Sequence, residues 1–167
     1  VITLGKRAKA TEDILVPTEA LDDLNVQCYQ VDRGGHATLH NPGQLVVYPL
    51  LNLEKHGLSV RDYVCLLTKT TQKFLKDLGI ETSTQEDNPG LYTNNGKIAF
   101  FGIRVTKGVS YHGLAVNVSN NLRDFSLIRS CGAADEKFDS INSHLQPVDM
   151  HLLFNQWFET FCFFIGQ

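Results

Sequence analysis

The chain has 167 residues, 43% of them apolar and 20% charged, and fifteen basic against eighteen acidic side chains leave a formal charge of −3. That length suits one domain, residues 1–167, with a single core burying roughly 70% of the unfolded surface. The apolar content excludes a disordered chain, no apolar run approaches membrane-spanning length, and the charge balance excludes a broad nucleic-acid-binding face.

The first residues, "VITLGKRAKA", read as a strand running into a loop, with no signal peptide ahead of them and no initiating methionine. The expectation is a natural protein that starts earlier. Residues 26–31 and 44–50 read as strands on either side of the glycine-rich stretch "RGGHATLHNPGQ". Ser59 can cap a helix with Asp62 in its first turn. Val60, Tyr63, Val64, Leu67, Phe74, Leu75 and Leu78 then recur at helical spacing until Gly79 stops it. Further on, Asn95-Gly96 signals a tight turn between two strands, and Thr106-Lys107-Gly108 joins a strand at 97–105 to another at 109–118. Counting back from a three-residue turn puts Lys97 opposite Val116 or Asn117. An aromatic-rich helix capped by Asp149 runs to Ile165. This order predicts an α+β fold, a mixed or antiparallel sheet with packed helices.

Several residues carry candidate chemistry. The glycines at 34 and 35 lead to His36 rather than to Gly-Lys-Ser/Thr, and the Gly96-Lys97-Ile98 run sits in a hairpin, so a phosphate-binding P-loop is excluded. His36 and His40 are four apart, but the glycines before them and Pro42-Gly43 after them make a helix improbable there. Even with His112, no further cysteine or carboxylate stands at ligand spacing, so no metal is expected. Four cysteines without a C-x-x-C pair fit a reducing setting, cytoplasmic or, in a eukaryote, organellar. Cys28, Cys65 and Cys162 read as small buried hydrophobes. Cys131 lies in the turn "SCGAA", where backbone amides can face a thiolate or an oxyanion; a catalytic and a structural thiol are equally open readings. Lys97 opens an apolar strand. It is either a solvated strand end or, pointing inward, a group whose proton affinity burial would lower.

Four segments in order, "RGGHATLHNPGQLVVYPL", "GLYTNNGKIAFFGIRV", "SYHGLAVNV" and "IRSCG", resemble the signature blocks of the lipoyl(octanoyl) transferases, enzymes that move octanoate from acyl carrier protein to a lysine of lipoyl domains. The resemblance runs from "ITLGKRA" to the last helix. It implies the α+β catalytic domain shared with biotin and lipoate protein ligases, and a further N-terminal segment ahead of "TLGKRA". It places Cys131 at the acyl-thioester position and Lys97 at that of the lysine that activates it. Arg33, Gly34, Gly35, His36, Ala37, Thr38, Leu39 and His40 fall on substrate-binding segments, as do Phe100, Phe101 and Gly102, and Gly113, Leu114 and Ala115. Arg33 and His40 are then polar fixtures of an acyl pocket.

Three positions depart from the family pattern. Asn41 replaces a glycine, Ser130 replaces the proline before the cysteine, and "AADEKFDSI" matches the following loop only loosely. The implied donor is octanoyl-acyl carrier protein; the acceptors are lipoyl domains of 2-oxoacid dehydrogenases and the glycine cleavage H protein. Neither nucleotide nor cofactor is needed, because a thioester donor already carries the energy for amide formation. Other readings are an octanoyl amidotransferase between lipoyl domains, an ATP-dependent lipoate or biotin protein ligase, and a non-catalytic acyl-protein-binding domain.

Overall fold

The computed structural model describes residues 1–86, 88–129 and 136–166. Its strands are β1 (Ile2–Leu4), β2 (Cys28–Gln30), β3 (Ala37–Leu39), β4 (Gln44–Val47), β5 (Leu91–Tyr92), β6 (Lys97–Thr106) and β7 (Val109–Asn117). Two short helices, α1 (Ala10–Asp13) and α2 (Thr18–Asp23), precede the two long ones, α3 (Val60–Asp77) and α4 (Met150–Ile165).

The β6–β7 hairpin is the spine. Lys107 and Gly108 both take positive φ, 51° and 74°, which is the two-residue turn whose twist matches a hairpin. Thr106 therefore pairs with Val109 instead of belonging to the turn. The register moves by one from the Lys97–Asn117 pairing of the sequence count, and Ala99 faces Val116. Lys97 instead bridges Phe138 in parallel. β4 pairs antiparallel with β7 and β5 with β6, giving an antiparallel sheet in the order β4-β7-β6-β5. A smaller mixed sheet has the order β2-β1-β3, with β1 parallel to β2 and antiparallel to β3.

Strand alternation assigns the faces of the large sheet. Ala99, Phe101, Leu114 and Val116 pack with Tyr63, Leu67 and Phe74 of α3 and Leu153, Trp157 and Phe161 of α4. Phe100 and its cross-strand partner Ala115 join Ile2, Leu4, Ala37, Leu39 and Phe125 in a second core beneath the small sheet.

Helix α3 begins as expected, in a reciprocal capping box in which the Asp62 N–H donates to Ser59 Oγ at 3.1 Å and the Ser59 N–H to Asp62 Oδ2 at 3.0 Å. It ends at Gly79 (φ 79°), with the Gly79 N–H on Lys76 O and the Ile80 N–H on Leu75 O, a Schellman closure. Its buried face is rotated from the predicted stripe: Val60 and Val64 are exposed, and Thr70 and Thr71 are fully buried. Thr71 is buried because its hydroxyl has work there, donating to Leu67 O and accepting from Trp157 Nε1 of α4.

Two other expectations change. β2 is shorter than residues 26–31 and wholly exposed, since it forms the edge of the small sheet. Cys28, Cys65 and Cys162 are exposed, not buried: an edge strand and the outer faces of α3 and α4 carry them.

Candidate active site

The glycine-rich stretch is a wall, and β3 is its rigid part. Thr38 pairs with Thr3 of β1, and the ladder continues through the His40 N–H to Val1 O at 2.8 Å. Alternation turns Ala37 and Leu39 toward the second core and brings Thr38 and His40 to the same side. Arg33 is buried against that side: Nε donates to Thr3 Oγ1 at 3.1 Å, Nη2 to Thr3 O at 2.6 Å, and Nη1 to Gly34 O at 2.9 Å. Its guanidinium thus staples β1 to the loop. A Cβ on Gly102 would lie 3.0 Å from Arg33 Cδ, so glycine there lets β6 approach the staple.

Between this wall and the hairpin lies a small, partly open cleft. Arg33, Gly34, Gly35, His36, Ala37, Thr38 and His40 line one side. Phe100, Phe101 and Gly102 of β6 line the other, with Gly113, Leu114 and Ala115 of β7. Those six strand residues are three cross-strand pairs, Phe100 with Ala115, Phe101 with Leu114 and Gly102 with Gly113. Of the residues predicted for this wall, Leu39 does not line the cleft; it is buried in the second core. Tyr48 and Pro89 line it unpredicted. Tyr48 lies inside the first motif quoted above and Pro89 immediately before the second, so a stricter reading of "QLVVYPL" would have found the tyrosine. The cleft continues outward along His36, Pro89 and Gly102 to Arg7, Ile103 and Val64, the valine exposed on α3.

Lys97 is fully buried beneath this floor. Its Nζ donates to Asn88 Oδ1 at 2.7 Å and lies 3.4 Å from Glu136 Oε1, and 5.3 Å from the ring centres of both Tyr92 and Phe100. Phe100 thus touches Lys97 and lines the cleft. Asn88 Nδ2 and Tyr92 Oη both donate to Glu136 Oε1, at 2.5 and 3.0 Å, which fixes the carboxylate beside the ammonium. Glu136 Oε2 is buried with no hydrogen-bond partner among the described residues. Cys131, the predicted nucleophile, lies outside the described residues. Glu136 follows it by five positions.

The three histidines that a metal site would have needed take separate partners. His36 Nδ1 is 3.6 Å from Asp13 Oδ2, His40 Nδ1 bonds Gln44 Oε1 at 3.0 Å, and His112 Nε2 meets Asp32 Oδ1 at 3.1 Å. Hydrogen bonds from Tyr111 and His112 hold the Asp32 carboxyl below its usual value. Burial holds the His40 imidazole below its usual value, with the Gln44 contact only partly opposing. Asn41 has no positive φ; Gly43 (φ 94°) supplies it after Pro42, as a type II turn requires, and Asn41 Nδ2 donates to Asn121 O and Asp124 Oδ2.

The lipoyl protein ligase A/B catalytic domain model matches residues 1–162, and the chain belongs to that family. It is similar to the octanoyltransferase of Marinobacter nauticus, 44% identical over 134 residues, which are 80% of this chain and 60% of that protein. It is also similar to the octanoyltransferase of Xanthomonas campestris pv. campestris, 42% identical over 141 residues, 84% of this chain and 58% of that protein. The matched part spans somewhat under two thirds of the length of these relatives. In fold it matches a crystal structure of lipoate-protein ligase A bound with ATP (TM-score 0.76, 14% identity, 99% of this chain and 68% of that one). It also matches biotin protein ligase from Aquifex aeolicus (TM-score 0.61, 13% identity, 98% and 68%). The α+β fold and the family expected from the sequence are therefore the ones found.

Proposed function

We propose that this chain is a single catalytic domain, acting in the cytoplasm, that transfers an octanoyl group from octanoyl-acyl carrier protein to a lysine of lipoyl domains, through a thioester on Cys131 with Lys97 as its partner. The observation that carries this reading is the fully buried Lys97 ammonium packed on Phe100, whose ring also lines the glycine-walled cleft. A cation beneath an apolar floor stabilises a thiolate and supplies a proton, and the apolar side chains of Phe100, Phe101, Leu114 and Ala115 along the cleft suit an acyl chain. Identity above 40% to proteins named octanoyltransferase supports the acyl group.

The chemistry then runs in two halves. The Cys131 thiolate attacks the thioester carbonyl, backbone N–H groups hold the oxyanion, and the departing phosphopantetheine thiolate takes a proton from Lys97. A lipoyl-domain lysine then attacks acyl-Cys131, the C–S bond breaks, and Lys97 regains a proton. The acceptors are the lipoyl domains of 2-oxoacid dehydrogenases and the H protein of glycine cleavage.

Mixing the protein with octanoyl-acyl carrier protein and reading intact mass tests this. The expected result is one octanoyl group on the Cys131 peptide, discharged to an added lipoyl domain without ATP. Transfer that depends on ATP and magnesium would instead establish a ligase, and absence of both loading and transfer would establish a binding domain.

A further inference from the structure

A chain of amides determines which nitrogen of His40 carries its proton. Asp139 O is a main-chain carbonyl and can only accept, so the group of Asn117 that lies 3.0 Å from it is the NH2. Asn117 Oδ1 therefore faces Gln44, whose Nε2 donates to it at 2.9 Å. That leaves Gln44 Oε1 facing His40 Nδ1, which must be the N–H. A neutral His40 thus carries its lone pair on Nε2. Among the described residues nothing pairs with Nε2, and His40 lines the cleft. On the same side of the wall, Thr38 Oγ1 is buried without a partner among the described residues.

The proton count of the reaction requires such a group. A lysine arrives at neutral pH as an ammonium ion. It must lose one proton to become a nucleophile and a second as its nitrogen forms the amide. The carbonyl carbon gains the C–N bond, and the electron pair of the broken C–S bond leaves on Cys131 Sγ, restoring the thiolate. Lys97, having given one proton to the departing pantetheine thiol, can take back one. The other needs a second acceptor.

We infer that His40 Nε2 is that acceptor, taking the first proton of the incoming lysine and passing it to solvent through the open cleft, and that Gln44 and Asn117 are positioning residues that lock its tautomer. This rests on the acyl-transfer reading above. Burial keeps the imidazole neutral at physiological pH, and the charged groups that act on it, Arg33, the Val1 amino group and His112, push the same way.

The experiment separates the half-reactions: loading from octanoyl-acyl carrier protein, then discharge of the loaded protein to an isolated lipoyl domain, each followed by intact mass across pH. In His40→Gln, discharge at pH 7 should slow about 10²-fold more than loading, the scale for losing a proton-transfer group. That gap should narrow steadily as pH rises toward about 10.4, as a growing share of the lysine arrives as the free amine. Gln44→Glu still accepts from Nδ1 but adds a negative charge, so the acidic limb of the discharge profile should move up by about one pH unit. Independently of activity, 15N NMR of the resting protein should show Nδ1 protonated and Nε2 bare on His40. Equal slowing of both halves, a gap that does not narrow as pH rises toward about 10.4, an unmoved limb in Gln44→Glu, or the opposite tautomer would each overturn the inference. A wild type that never loads removes the acyl-transfer reading and this inference together; one that loads and discharges while the variants behave as wild type removes the inference alone.

Discussion

The two sides of the large sheet are held by different forces. On one side α3 and α4 bury Tyr63, Leu67, Phe74, Trp157 and Phe161 against β6 and β7, and side-chain volume decides the fit. On the other, the wall at residues 33–40 is held by directed contacts: Arg33 on Thr3 and Gly34, the Gly34 N–H on Ile103 O at 3.0 Å, and His40 on Gln44. Packing tolerates small shifts of many atoms, whereas a hydrogen-bonded wall fixes individual atoms. The proposed chemistry lies on the second kind of surface, with the first as its support. Substitutions on the two sides should therefore be separable: one set should alter stability, the other rate.

The largest effect is expected at Lys97, where the two sides meet. Lys97→Ala should slow transfer about 10²–10⁴-fold and raise the pH at which Cys131 is alkylated, because a nearby cation no longer favours the thiolate. Lys97→Arg should not restore transfer, since a guanidinium supports charge but does not exchange a proton near neutral pH. Iodoacetamide labelling over pH must be resolved by peptide, because Cys28, Cys65 and Cys162 are exposed and will also react. Desolvation pushes the Cys28 thiol up, so it should label late. A Cys131 profile unmoved by the Lys97 variants would remove the pairing.

Much of this was legible in the sequence, for identifiable reasons. The hairpin showed in Lys107-Gly108 and the alternating strands around it, and the helix caps in Ser59, Asp62 and Asp149, because these are local preferences. The register slipped by one because Thr106 suits a turn and a strand equally; only pairing with Val109 decides it. β3 was hidden inside the glycine stretch because its partner, β1, lies over thirty residues earlier. The cysteines misled because apolar neighbours in sequence, such as Phe161 and Phe163, do not share a helix face with Cys162; Phe161 is buried and Phe163 exposed. Nothing in residue order shows that Asn88 and Glu136 would meet at Lys97.

The helical side should answer differently. Trp157 is buried, stacks on Phe161 at 5.1 Å and donates to Thr71 Oγ1 at 3.1 Å. Trp157→Ala should cost about 3–5 kcal/mol in urea denaturation, while acyl loading per folded molecule stays near wild type. A proportionate loss of loading by fully folded protein would show that the two sides are not separable. A smaller stability effect is expected in the wall. Arg33→Lys loses the planar fork that reaches Thr3 and Gly34 together, and should cost about 1.5–3 kcal/mol. Unlike Trp157→Ala, it should also raise KM for the acyl donor, because the loop it staples lines the cleft. An unchanged KM would place Arg33 in the support alone.

The smallest effect concerns Asp139, which is buried where the amide chain to His40 ends. Burial by itself would raise its carboxyl. The hydrogen bonds from Thr93 Oγ1, His144 Nε2 (2.6 Å) and the Ser140 N–H (2.8 Å) outweigh that, and the group titrates below its usual value. A folded-state value below the unfolded one means that the ionised carboxylate stabilises the fold at any pH above the unfolded value, near 3.8. The contribution declines as pH falls through the folded value. Asp139→Asn removes the charge but keeps the main-chain carbonyl that accepts from Asn117. Its deficit in urea midpoint should therefore be constant from about pH 5 upward and shrink below about pH 4, as the wild type protonates. A deficit that does not change with pH would mean that Asp139 acts through shape and neutral hydrogen bonds, and that the wall is anchored here by its backbone rather than by charge.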